Sequence, residues 1–199
     1  MSDILCVTNR NLCKEDFLVR IEKIAKTKPK GIILREKDLS EADYRTLAIK
    51  VTQICQKYDV PCILHSFINA AIGLNVGSIH LPMHILRQMS GEQKAKFSII
   101  GASCHCSEDV AEAEKLGCTY ITAGHVFDTD CKKGLPGRGL DFLYSICKAV
   151  SIPVYAIGGI DSHNFVSVRR AGAEGACIMS GLMCCEDVNK YMEDFENEV

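Results

Sequence analysis

The stretch Pro153-Val154-Tyr155-Ala156-Ile157-Gly158-Gly159-Ile160-Asp161-Ser162-His163-Asn164 holds one complete unit of the fold. An apolar run rich in β-formers stops at a glycine pair. Asp161 and Ser162 then open a helix that ends near Ala171-Gly172. The run does not alternate with polar residues, so it reads as a strand buried on both faces, as in a parallel sheet covered by helices. Similar runs recur upstream at residues 4–8, 31–35, 62–65, 78–81, 97–101 and 119–122, and downstream at 175–179. Helical patterns lie between them. In residues 41–58, Leu47, Ile49, Val51, Ile54 and Cys55 form an apolar stripe. Ser107-Glu108-Asp109-Val110 begins with an N-cap and an acidic first turn and runs to a stop at Gly117. Eight such units in 199 residues average about 25 residues each.

The first and last strands are as apolar as the others, and neither resembles a protected edge. A closed sheet is therefore expected: an α/β chain forming one domain over residues 1–199, a single (βα)8 TIM barrel. An open, doubly wound sheet is the alternative. Residues 128–139, between the sixth strand and its helix, are too rich in turn residues for a simple connector.

Composition narrows the function classes. The chain is 47% apolar and 24% charged, with a net charge of −2 and no block of like charge. Nucleic-acid and membrane-surface partners usually call for a basic patch, so neither is expected. No apolar run reaches the roughly 18 residues needed to span a bilayer. The N-terminus has no basic segment followed by a long apolar one and reads as a first strand rather than an export signal. Twelve cysteines are many, but most lie inside apolar runs, where a thiol behaves as a small hydrophobe. A reducing cytoplasm is the expected setting. Cys104-His105-Cys106 and Cys184-Cys185 are the tight clusters, and both fall short of a four-ligand zinc pattern, so no metal is expected.

In barrels of this kind the site lies at the C-terminal ends of the strands, with phosphate in the loops after strands seven and eight. Those loops are Gly158-Gly159 and Met179-Ser180-Gly181. Their backbone N–H groups can approach an anion closely, so a phosphate ester is the expected ligand. Arg35 and Lys37 follow strand two as an anion clamp or a solvated turn. His65 ends strand three, and Ser103 ends strand five as a hydrogen-bonding group. His80 lies within strand four and reads as a hydrogen-bonded core histidine. His125 stands where strand six delivers a side chain to the barrel mouth, as a candidate acid/base.

The runs Leu34-Arg35-Glu36-Lys37-Asp38, Ile100-Gly101-Ala102-Ser103, Gly124-His125-Val126-Phe127-x-Thr129-x-x-Lys132 and Ala156-Ile157-Gly158-Gly159-Ile160, in that order, resemble the thiamine phosphate synthase/TenI family. The likeness covers essentially the whole chain. It implies a (βα)8 barrel that binds thiazole phosphates, with Arg35, Lys37 and Lys132 at diphosphate-contact positions and Ser103 and Thr129 at ligand-contact positions. Gly158, Gly159, Met179 and Ser180 would supply the phosphate cradle. Barrels of this type often pair, so a homodimer is compatible with it.

Two branches of the family differ at identifiable positions. The synthase joins hydroxymethylpyrimidine diphosphate to a thiazole phosphate, and its pattern has Asn-Asp after strand three and another Asp after strand four, holding Mg²⁺. Here the chain reads His65-Ser66 and His80-Leu81-Pro82-Met83-His84. The synthase's Gly-Pro-x-Phe after strand six is Gly124-His125-Val126-Phe127. That histidine resembles the TenI-type thiazole tautomerase, which aromatises a carboxythiazole phosphate tautomer without a metal. The resemblance therefore implies a tautomerase with His125 as general acid/base and no cofactor. His65 is explained by neither branch pattern and is a candidate second proton carrier. The alternatives are a synthase, with Mg²⁺, and a non-catalytic protein that binds thiazole phosphate.

Overall fold

The computed structural model describes residues 3–132 and 134–197. Eight strands close a parallel barrel in chain order: β1 (Ile4–Val7), β2 (Gly31–Leu34), β3 (Cys62–His65), β4 (Ser78–Pro82), β5 (Ile99–Cys104), β6 (Tyr120–Gly124), β7 (Val154–Ile157) and β8 (Gly175–Ile178). β1 pairs with β2 on one side and with β8 on the other, so the barrel has no edge. Helices α1 (Phe17–Lys26), α2 (Glu41–Lys57), α3 (Ile68–Gly73), α4 (Met83–Leu86) and α5 (Gly91–Lys94) connect the first five strands. Helices α6 (Ser107–Lys115), α7 (Gly139–Ala149), α8 (Ser162–Arg170), α9 (Ser180–Cys184) and α10 (Val188–Asn197) complete the outer ring.

Two apolar layers result from the two-residue period of the strands. Side chains that point outward, among them Ile4, Ile32, Leu64, Ile79, Ile121 and Ala156, pack beneath the helices in the larger core. Those that point inward, Leu5, Val7, Ile33, Ile63, Tyr120, Tyr155 and Cys177, fill the barrel itself.

The expected strand positions hold with two shifts along the chain. Strand five, expected at 97–101, runs Ile99–Cys104, because Phe97 belongs to the turn after α5, its N–H bonding the Lys94 carbonyl. Strand six, expected at 119–122, runs Tyr120–Gly124, in register with β5 from Gly101↔Tyr120 to Cys104↔Ala123. Ser107 is the first residue of α6 rather than its N-cap. Cys106 holds the cap position without a side-chain bond, and Asp109 Oδ2 accepts from the His105 N–H at 3.2 Å. The helix after strand seven starts as expected. Asp161 and Asn164 form a reciprocal capping box, and Asn164 Nδ2 also donates to the Gly159 carbonyl at 2.9 Å. The helix start and the glycine loop are thereby tied together.

One glycine shapes the floor of the barrel. A Cβ on Gly101 would lie 2.2–2.5 Å from the Tyr120 ring and hydroxyl, so only glycine lets that ring cross the interior. Gly101→Ala is expected to destabilise the fold by about 1–3 kcal/mol through overpacking. Urea unfolding checks this; a midpoint equal to the parent's would show that the ring moves aside freely.

Candidate active site

At the C-terminal end of the barrel is a cavity of about 350 Å³. Arg35, Lys37, His65, Ser103, His125, Thr129, Lys132, Gly158, Gly159, Met179 and Ser180 all line it, so every site residue expected from the sequence comes to one place. His80, Pro82, His105 and Thr122 line it as well. Thr122 and His105 were missed, although Thr122 follows Tyr120 at the inward-pointing period of β6.

The cationic side of the cavity rests on a buried carboxylate. In Arg35-Glu36-Lys37, Glu36 is only 2% exposed while its neighbours line the cavity. Glu36 Oε1 accepts from the Thr8 hydroxyl at 2.6 Å, and its carboxylate also takes the Arg10 N–H and guanidinium at 3.1 Å. Thr8 Oγ1 in turn accepts from the Arg35 N–H at 2.9 Å. This clasp between the loops after β1 and β2 fixes the backbone that presents Arg35 and Lys37. Partial burial pushes the Lys37 ammonium down from its ordinary value, helped by the charges of Arg35 and Lys132, so the three cations share one region. Neither Thr8 nor Glu36 was singled out from the sequence, because nothing local marks them: their partners lie 28 residues apart.

Two histidines on adjacent strands form the floor. The His65 and His80 rings stack with centroids 5.7 Å apart. His65 Nδ1 pairs with Ser66 Oγ at 2.7 Å. His80 Nδ1 pairs with Tyr120 Oη at 2.9 Å and its Nε2 with Ser103 Oγ at 2.8 Å, which is the hydrogen-bonded core histidine expected. Burial pushes the Tyr120 phenol well above its usual range, so it keeps its hydrogen. Among the described residues its hydroxyl has no hydrogen-bond partner but His80. Tyr120 therefore donates to Nδ1, and Nε2–H donates to Ser103, leaving the Ser103 hydrogen free to point at a ligand.

Both rings are held neutral. Burial, with the neighbouring His80, Lys37 and Arg35, pushes His65 down to about 2, and burial with Lys37 pushes His80 down to about 3. A ring this hard to protonate is a poor proton carrier, which argues against the second-carrier role for His65. The same shifts bear on stability. The unfolded chain binds protons on both histidines below about pH 6.5 while the native state does not, so stability must fall as pH drops through that value. The slope should approach about 1.4 kcal/mol per pH unit for each ring. Urea midpoints between pH 7 and 5, above the carboxylate range, test this; a flat profile would contradict it.

His125 follows Gly124 at the end of β6 and is 8% exposed. Its Nε2 lies 3.2 Å from the Leu135 carbonyl. The glycines after β7 prove to be packing residues as well as lining residues. Gly158 (φ +100°) and Gly159 (φ +66°) have left-handed backbones. A Cβ on Gly158 would lie 2.3 Å from His125 Cβ, and one on Gly159 2.4 Å from the Asp128 carbonyl oxygen. A Cβ on Gly181, in the loop after β8, would meet the Tyr191 hydroxyl. Thus Gly158 and Gly159 let the loop after β6 fold down onto β7, which places His125 over the cavity.

Among the described residues no Asp or Glu lines the cavity. Among the described residues there is also no group of three His, Cys, Asp or Glu placed to hold a metal. Magnesium takes oxygen ligands, chiefly carboxylates, and the imidazoles and hydroxyls here do not suit it. Lys133, in the loop motif, lies outside the described residues.

Residues 4–182 match the family described as Thiamine monophosphate synthase. The chain belongs to that family. The relatives agree: it is 32% identical over 188 residues, 92% of its own length and 87% of the other's, to a thiamine-phosphate synthase of Clostridium acetobutylicum. It is 33% identical over 195 residues, covering 95% and 91% of the two chains, to "Thiamine-phosphate synthase 2" of Streptococcus pneumoniae. Among solved structures, a thiamine phosphate pyrophosphorylase from Pyrococcus furiosus superposes with a TM-score of 0.83 at 27% identity, covering 98% and 94% of the chains. The thiamine monophosphate synthase family places this chain among enzymes of thiamine biosynthesis. The relatives bear the name of the coupling enzyme, so the comparisons favour the coupling alternative and give the tautomerase no support beyond family membership. No helix among the described residues is long and apolar enough to cross a membrane.

Proposed function

We propose that this member of the family aromatises a carboxylated thiazole phosphate tautomer by proton transfer through His125. The observation that carries the reading is an imidazole over a cavity whose lining, among the described residues, has three cations and no carboxylate. The reaction is an isomerisation. The ring C2–H bond breaks and its electron pair enters the ring. The double bonds shift, and the exocyclic carbon takes up a proton. The gain in aromaticity drives it, so one base able to return its proton suffices. The cations suit the substrate's carboxylate, and the loops after β7 and β8 suit its phosphate. On this reading the enzyme works in the cytoplasm, where its cysteines remain thiols.

A second reading is coupling of hydroxymethylpyrimidine diphosphate to thiazole phosphate. It is favoured by the names of the relatives and by Arg35, Lys37 and Lys132 sharing one region, as a diphosphate would require. The missing carboxylates weigh against it.

Two assays on purified protein separate them. In the first, the tautomer is incubated with and without protein and the aromatic thiazole is followed by absorbance. In the second, pyrimidine diphosphate, thiazole phosphate and Mg²⁺ are supplied and thiamine phosphate is measured. Acceleration in the first alone is the expected result. Turnover in the second alone would replace this reading with the coupling one, and binding without turnover in either would make the chain a sensor.

A further inference from the structure

The partner of His125 determines which of its nitrogens can work. A main-chain carbonyl only accepts, so the Nε2 that faces the Leu135 oxygen must carry a hydrogen. In the neutral ring the lone pair then belongs to Nδ1. Nδ1 makes no hydrogen bond to any described residue. It is also not among the fully buried side-chain atoms that lack a hydrogen bond among the described residues. His125 lines the cavity, and Nδ1 is its ring nitrogen without a protein partner among the described residues.

The Leu135 carbonyl belongs to the long loop between β6 and α7, and the Leu135 side chain, 59% exposed, does nothing to anchor it. The loop is held by other bonds. Asp128 Oδ1 accepts from the Gly137 N–H at 2.6 Å, two residues beyond Leu135. The Arg138 N–H reaches the His125 carbonyl at 3.0 Å, and the Gly139 N–H reaches that of Val126 at 2.8 Å. Side chains anchor the loop at Asp128, near Leu135, and at Arg138, at its far end, whose guanidinium donates to the His105 carbonyl; Asp128 holds the segment nearer the Leu135 carbonyl.

We infer that Nδ1 of His125 is the atom that exchanges a proton with the substrate, and that Asp128 is a positioning residue that sets this tautomer by stapling the loop carrying the Leu135 carbonyl. The inference rests on the proton-transfer reading above. Nδ1 takes the proton from ring C2, giving an imidazolium with a hydrogen on both nitrogens. Leu135 keeps its bond to Nε2–H throughout. Nδ1–H then passes to the exocyclic carbon, and His125 returns to its starting tautomer. No oxidant, metal or second base is needed.

Long-range ¹H–¹⁵N spectra of the full chain labelled with ¹⁵N-histidine, assigned with His125→Ala, read the tautomer directly. The parent should show His125 with hydrogen on Nε2. Asp128→Ala should give a mixed tautomer and a fall in kcat of about tenfold or more, with KM for the thiazole tautomer changed by less than about twofold. Asp128→Asn keeps an oxygen for the Gly137 N–H and should restore most of the rate. A parent with hydrogen on Nδ1 overturns the inference even if the variants fail to fold, and so does an Asp128→Ala protein with parental tautomer and kcat. A parent that has hydrogen on Nε2 but aromatises nothing instead overturns the proton-transfer reading, because the spectrum and the assay report separately.

Discussion

His125→Ala is expected to lower kcat for aromatisation by about 10²–10⁴-fold, the usual worth of a positioned acid/base. The effect should be large because the two histidines of the floor cannot take over. His65 and His80 lie in the same cavity, but burial holds them down to about 2 and about 3, so neither accepts a proton near neutrality. His105 is at the rim, with Nδ1 facing the Gly124 carbonyl at 3.3 Å. Among the described residues no carboxylate lines the cavity to act in their place. KM should change little, since the phosphate loops and the cations are untouched, and added imidazole should restore part of the rate. Steady-state kinetics on parent and variant decide it, and a variant with the parental kcat would remove His125 from the chemistry.

Gly158→Ala should be nearly as damaging, by a different route. The position has φ +100°, which costs an alanine about 1–3 kcal/mol before any contact is considered. The new methyl would then lie 2.3 Å from His125 Cβ and 2.8 Å from its Cα. Neither atom can yield, because the Phe127 N–H bonds the Gly158 carbonyl at 3.0 Å and the Val126 N–H bonds that of Ile157 at 2.9 Å. A combined loss of about 3 kcal/mol would lower Tm by about 6–12 °C in a chain of this size. The protein that still folds should lose most of its kcat, because relief of the clash moves His125. Thermal unfolding and kinetics on one preparation test both effects, and a parental Tm would show that the loop has room the structure does not.

The barrel was legible because its signals are local. Continuous apolar runs such as Pro153-Val154-Tyr155-Ala156-Ile157, each followed by a turn and a helical stripe, required nothing from elsewhere in the chain. The residues around the cavity were legible for the same reason, since strand ends are where such a barrel exposes side chains. What could not be read was pairing across sequence distance. Glu36 looks like one more charge in Arg35-Glu36-Lys37 until the fold buries it against Thr8, and Tyr120 looks like core until its hydroxyl reaches His80. The glycine pair was read as a phosphate cradle, and its tight fit under His125 and Phe127 depends on a loop 30 residues upstream. Strands five and six run further than expected because small residues such as Ala102, Ser103, Ala123 and Gly124 continue the ladder without an apolar signal, while Phe97 places its apolar side chain in the turn before it.

The inward-facing Tyr120 and Tyr155, edge to face with centroids 5.7 Å apart, close the barrel below the histidine floor. The cavity is therefore a blind well with a single mouth. Product must leave by the path that the next substrate takes in, past the same cations. Exchange is then strictly sequential, and on the proposed reading a product that keeps its phosphate and carboxylate competes for the very contacts that drew the substrate.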